Sequence, residues 1–498
     1  MAIDPRTPVV VGVAQTLRRP EDPATSTSPV DMMADVLRLA ADDAGPGSSL
    51  LARADSVRIV SMLSWRYSDP GSMVAARLGA SPRQTVVTTA GGNSPQALLN
   101  NTAVAIQDGE LDVALIAGAE AMYTRLRSRK AKIHLDWEQQ PADVEPTFVL
   151  GEDRPGVSDL EMARSIMLPI QVYPVFENAL RAAAGESIDE HQQKIAALWS
   201  RFSSVATRNR HAWFRDEKTA DEIGTVTAEN RWIGFPYPKA MNANLDTDQS
   251  AALIVCSVEA ARAAGVPEDK WVFPWSGSDA HDHWFVSERD NLHSSPAIRL
   301  NGKQALSLAG IGIDDVAHVD LYSCFPSAVQ IGAQELGLGL DEPDRPLTVT
   351  GGLSFAGGPG NNYVTHSIAA MVDVLRADPG SLGLCTALGW YVTKHAIGVY
   401  STEPSPNGFR HAHPQDEVDA LPRREAVADY DGPVTIDSYT VMHERDGEPA
   451  MGIVACLLPD GRRTWANTTE PGLMKSMTLE EFVGRPATVK SGGQIDVA

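Results

Sequence analysis

With 498 residues and a formal charge of −22, the chain is too long for one simple core, and its acidity excludes general binding to nucleic acid or an anionic membrane. Its four cysteines, Cys256, Cys324, Cys385 and Cys456, are scattered without CxxC spacing, so neither a zinc site nor a disulfide framework is signalled. There is no signal-type start and no run of roughly 18 apolar residues, which points to a cytoplasmic protein without membrane insertion.

In chain order, PVVVGVA at 8–14 reads as a buried strand. Ser28 and Pro29 then open a helix with Val30, Met33, Leu37, Ala40 and Ala44 on one face, ended by Gly45. After another strand at 57–61 comes the stretch 84–122: a β-branched strand at 86–89, a turn at Gly91 and Gly92, Ser94 as N-cap before Pro95, a helix to about Gly109, and a fully apolar strand at 113–117. A strand-to-helix turn of this kind exposes backbone amides and a positive dipole end, where an enzyme can hold an anion or a thiolate. From 123 to about 237 the pattern changes to a basic run (Arg125, Arg127, Arg129, Lys130, Lys132), an irregular acidic segment and helices near 158–184 and 188–210, an insertion lying over the sheet. Strands at 251–256, 271–276, 318–322 and 382–386, with helices to Gly265, at 296–310 and from Pro326, repeat the strand and helix order of the first half. Two similar halves would place the ends of their central helices around one crevice.

Past Ser401 a Pro- and charge-rich linker leads to strand-like segments at 434–442, 452–458, 463–467 and 487–490. A turn at Pro459-Asp460-Gly461 and a short helix with capping-box spacing at Thr478 and Glu481 complete a small β-barrel of OB type. The expected division is 1–122 with 244–265, a loop insertion at 123–243, a second half at 266–402, a linker at 403–431 and the barrel at 432–498.

The segments VVVGVAQT, SPQALLNNTAVAIQDGELDVALIAGAEAM, DQSAALIVCS, DLYSCFPSA, GGLSFAGGPGNN and LGWYVTKHAIGVYS resemble the thiolase superfamily over about residues 7–402. The sterol-carrier and lipid-transfer branch is most similar, and the added β domain looks like the thiolase-like protein type 1 group of mycobacteria. The resemblance implies an α/β fold of two similar halves layered α-β-α-β-α, with an inserted loop domain. Thiolases work with four loops. Aligning these places Gly91 at the nucleophilic cysteine, Tyr322 at the Asn or His that orients a water, and Gly358, within Gly357-Gly358-Pro359, at the activating histidine. Ala387, within Cys385-Thr386-Ala387-Leu388-Gly389, falls at the acid/base cysteine. Ser94 reads as a helix cap rather than a substitute nucleophile.

Without thiolate or base, Claisen chemistry is not expected. The resemblance implies instead a protein of lipid metabolism with CoA or acyl-CoA as a non-covalent ligand. The thioester would be held by backbone at Gly91, Gly92, Gly358 and Gly389, and the CoA phosphates by Arg125, Arg127 and Arg129. Tyr322, Cys385 and Tyr363 are the remaining catalytic candidates: Cys385 if its strand register turns it to the crevice, Tyr363 as an acid or base where no histidine stands. Two alternatives stay open. One is a retro-aldol lyase on β-hydroxyacyl-CoA in which Tyr322 takes the hydroxyl proton; the other is a non-catalytic assembly subunit whose C-terminal domain contacts another protein. His281 and His283 lack a third ligand, so no metal is expected; His366 and His395 read as packed side chains. Thiolases dimerise through the strand equivalent to 86–89, and whether this chain does so stays open.

Overall fold

The computed structural model describes residues 3–45 and 48–497. Its first sheet runs Pro8–Arg18, Asp248–Ser257, Val113–Ala121, Ser56–Ile59, Gln84–Thr88, Phe148–Leu150, with Asp248–Ser257 the antiparallel member. The second runs His318–Asp320, Leu382–Gly389, Lys394–Ser401, Phe273–His281, Arg410–Ala412. Val113–Ala121 and Asp248–Ser257 are buried at every position because helices cover both faces of their sheet, which is why VALIAGA and SAALIVCS within them read as unbroken apolar or small-residue runs. Helices Pro29–Asp43 and Pro70–Leu78 pack on the outer face of the first sheet, and Pro296–Ala309 packs on the second. Helices Ser94–Gln107 and Tyr363–Ala377 touch strands of both sheets and each other. The result is the five-layered α-β-α-β-α arrangement, with the two central helices starting side by side.

Three segments join sheets that the sequence did not assign them to. Phe148–Leu150, from the insertion, pairs in parallel with Gln84–Thr88, so the edge through which thiolases dimerise is covered by the chain itself. Thr89 N donates to Leu150 O at 2.8 Å and Thr147 N to Thr85 O at 2.9 Å. Arg410–Ala412, in the stretch expected as linker, extends the second sheet. Trp232–Gly234 places Gly234 opposite Met442 and continues the C-terminal sheet into the insertion.

The C-terminal strands close into a five-stranded barrel because Gly432–His443 pairs with both Pro449–Leu457 and Pro486–Lys490. Arg463–Thr468 runs parallel to Gln494–Asp496, and a helix at Pro471–Met477 separates the third strand from the fourth, the order expected of an OB-type barrel. The helix lies earlier than the capping-box spacing suggested. Glu470 caps it by accepting from Gly472 N, Thr478 ends it, and Glu481 instead pairs with Arg181 at 3.0 Å.

Candidate functional site

The two central helices begin at neighbouring loops, and Asn361 joins them. Its Oδ1 accepts from Gly91 N at 2.9 Å while its Nδ2 donates to Ser61 O at 2.9 Å. The Gly91 amide, expected to face the crevice, is therefore committed to Asn361. Gly91 has φ +149°, a conformation that side-chain-bearing residues rarely adopt. Ser94 is not the cap: its hydroxyl donates to Thr89 O at 2.9 Å, and Asn93 holds the N-cap position without a side-chain cap bond. Among the described residues, the amides of Gly92 and Asn93 donate to no protein acceptor.

Tyr322 takes the space beside that helix start. A methyl group on Gly92 would lie 2.3 Å from the Tyr322 hydroxyl and 2.5 Å from Leu388 O, so only glycine lets the phenol approach. The ring meets Tyr363 edge-on at 5.5 Å, and burial pushes its pKa upward, which keeps the phenol protonated and a hydrogen-bond donor.

Lys394, at the head of the KHAIGVYS strand, was not singled out by sequence reasoning. It is 7% exposed, and its Nζ donates to Ala90 O at 2.6 Å. A methyl on Gly91 would lie 2.8 Å from Lys394 Cε and 2.5 Å from Asn93 Oδ1; one on Gly389 would lie 2.4 Å from the same Asn93 oxygen and 3.2 Å from Lys394 Cε. The glycines at two positions that hold catalytic loops in thiolases thus make room for a lysine stem and an asparagine. Burial lowers the Lys394 pKa to about 8, partly opposed by Glu152 and Asp153. A lysine heading an otherwise buried strand is the signal that could have found it.

The remaining expected residues are placed as follows. The Gly358 amide donates to Asn244 O at 2.8 Å and is not free. Beside it, a methyl on Gly357 would meet Gln249 Oε1 at 2.1 Å, so a glutamine side chain fills the third loop. Cys385 is fully buried, in parallel register with Asp320, and burial raises its thiol pKa; its side chain belongs to the core. Tyr363 bonds Thr350 Oγ1 at 2.6 Å and donates to Asp320 Oδ1 at 3.1 Å, so its hydroxyl is engaged in a buried network. All four cysteines are buried and unpaired, and burial pushes those of Cys256 and Cys324 up to about 12. Trp390 and Val392, after Gly389, have φ of +59° and +53°. Val392 is β-branched, so this is stored strain, held by Tyr173, whose hydroxyl donates to Trp390 O at 2.8 Å and accepts from Val392 N at 3.3 Å.

The basic run does not act as one patch. It lies on a helix, Met122–Ala131, where residues two apart face nearly opposite ways. Arg125 donates to Leu63 O at 2.9 Å and Ser64 O at 2.7 Å, Arg127 donates to Pro20 O and Glu21 O, and Arg129 is exposed. Arg125, with Arg66 and Trp65, lines a cavity of about 820 Å³ that reaches Ser61 and Val87. Ser61 in turn bonds Thr89 O at 3.2 Å and Asn361, so that cavity lies one hydrogen-bonded step from the Gly91 loop. His281 and His283 bond the carbonyls of Asp282 and Leu421 respectively, and no group of three metal-type ligands occurs among the described residues. His366 bonds Gln15, and His395 pairs with Asp282 at 3.2 Å.

Residues 414–494 match the family described as the thiolase-like protein type 1 additional C-terminal domain. Over its whole length the chain is similar to a monomeric SCP2-thiolase-like protein type 1 from Mycobacterium smegmatis, at 34% identity, 100% coverage of both chains and a TM-score of 0.85. The dimeric peroxisomal thiolase of Saccharomyces cerevisiae shares the fold at 13% identity, with 81% of this chain and 99% of that one covered and a TM-score of 0.56. An Ltp2–ChsH2(DUF35) aldolase shares it at 18% identity, with 79% and 98% covered and a TM-score of 0.58.

Proposed function

The chain belongs to the SCP2-thiolase-like protein type 1 family, and on that premise we propose that it binds a CoA thioester without forming an acyl-enzyme. The observation that carries this reading is the grouping of two unpaired amides, Gly92 and Asn93, with the protonated phenol of Tyr322 at a helix N-terminus that has glycine, not cysteine, at position 91. A thioester carbonyl oxygen placed there would accept from these donors and be polarised. No thiolate stands ready to attack it, because all four cysteines are buried and burial holds their thiols protonated, Cys324 near Tyr322 included. The test is calorimetric titration with acetyl-CoA followed by intact-protein mass: binding with no mass gain is expected, and an added acyl group would overturn the reading.

For the CoA phosphates, Arg125 and the exposed Arg66 at the 820 Å³ cavity are the better candidates than Arg127 or Arg129. Arg125→Ala is expected to weaken CoA binding about tenfold by removing a charge-assisted contact. Arg127→Ala and Arg129→Ala are expected to leave it unchanged; the reverse pattern would move the phosphate site.

A retro-aldol reading draws on the aldolase relative and on the position of Tyr322. It needs Tyr322 as a phenolate to take the hydroxyl proton, and burial in an apolar surrounding opposes that ionisation. Incubation with β-hydroxyacyl-CoA is therefore expected to release no aldehyde or ketone. The covered edge strand further supports a monomer, so sedimentation should give the mass of one 53.4 kDa chain, and twice that mass would contradict it.

A further inference from the structure

A cavity of about 570 Å³ opens between helix Ser94–Gln107, the end of Phe273–His281 and the loop after Phe148–Leu150. It is separate from the 820 Å³ cavity assigned to CoA, and Lys394 and Asn93 line it. We propose that it binds a small organic acid that also carries a hydroxyl or amino hydrogen, with the carboxylate on Lys394 Nζ and the donor on Asn93 Oδ1.

The polar groups lining the cavity call for such a ligand. An ammonium has three N–H bonds, and Lys394 spends one on Ala90 O. No carboxylate lies within 4.0 Å of it among the described residues; Glu152 and Asp153 act on it only from farther away and the Trp284 ring centroid is 5.9 Å off, so this buried cation has no direct ion-pair partner. Asn93 Oδ1 accepts from nothing and is enclosed beside Gly91 and Gly389, so the Asn93 side chain turns toward the cavity to meet a ligand donor. A ligand offering an anion and a donor satisfies both. The other charged groups around the cavity are already engaged or lie at its rim: Asp279 pairs with His411 at 2.5 Å, His395 with Asp282, the His281 ring bonds Asp282 O, and Glu152 and His413 are not tightly enclosed. Ala97, Val104 and Leu150 supply apolar wall for a short carbon chain.

Lys394 remains charged at neutral pH and titrates near 8 because burial disfavours its ammonium. The ammonium is the binding form, so affinity should be flat below pH 8 and fall about tenfold per unit above it.

The experiment is calorimetric titration of the full-length protein with 3-hydroxybutyrate, butyrate and butyramide, without CoA, so that its outcome is independent of the thioester reading. Binding of 3-hydroxybutyrate, weaker binding of butyrate and none of butyramide are expected. Lys394→Met should abolish the heat. Ala97→Phe, which fills the cavity and keeps the lysine, should weaken binding at least about tenfold and covers the case in which the lysine variant does not fold. No heat with either acid up to about 10 mM, or binding that survives both substitutions, would overturn the proposal.

Discussion

Replacing Gly91 by cysteine is expected to leave acetoacetyl-CoA cleavage at background and to destabilise the protein by about 3 kcal/mol. Restoring the thiol does not restore the site, because its space has been reassigned. The new Cβ would be forced into a φ of +149°, 2.5 Å from Asn93 Oδ1 and 2.8 Å from Lys394 Cε. On the proposed reading the other loops lack their catalytic side chains too: glycine stands at 358, alanine at 387, and Gln249 fills the loop beside Gly357. Adding Gly358→His to Gly91→Cys should not rescue turnover. Thiolysis assays and urea midpoints measure the two effects; a Gly91→Cys variant that cleaves acetoacetyl-CoA at an ordinary enzymatic rate would show that the crevice is only one residue away from a thiolase.

Arg463→Met is expected to cost about 3–5 kcal/mol, the cost of leaving the partners of a buried charge unsatisfied. Arg463 is fully buried and pairs with Asp437 at 2.7 Å within the barrel. Its Nη1 reaches out of the barrel to the carbonyls of Ser287 at 3.3 Å and Arg289, and Nη2, which also pairs with Asp437, reaches Asp290 O at 3.4 Å. One guanidinium thus closes the barrel and fastens it to the second half of the chain, aided by Trp465 Nε1 donating to Ser287 Oγ at 2.8 Å. Without it, the stretch 403–431 should become the first site of limited proteolysis. Arg462→Ala, which removes an exposed pair with Asp460, should leave both stability and cleavage unchanged.

The layered fold was legible because its signals are local and repeated. Apolar runs such as DVALIAGA and SAALIVCS can only be strands buried on both faces, and Ser-Pro, Asp-Pro and Gly punctuation marks the helices between them. The proposal that thiolase chemistry is absent also rests on the sequence, on residues that the aligned loops lack. What occupies those positions was not legible there. Lys394, Asn93 and Asn361 come together only because segments some 270 to 300 residues apart meet, as the Gly91–Asn361 bond does across 270 positions. The basic run misled because spacing by two reads as a patch in sequence but divides between opposite faces of a helix. The short strand Phe148–Leu150 carries no alternation and sits in an acidic, irregular segment, so nothing local announced that it would cover the sheet edge.

The claim that the crevice holds a thioester without reacting with it is tested most directly by a crystal soaked with a saturated acyl-CoA. An intact, non-covalent thioester is expected, with its carbonyl oxygen about 2.7–3.2 Å from the Gly92 or Asn93 amide and from the Tyr322 hydroxyl, and phosphates near Arg125. An acyl group bonded to the protein, or CoA bound away from the start of helix Ser94–Gln107, would contradict it.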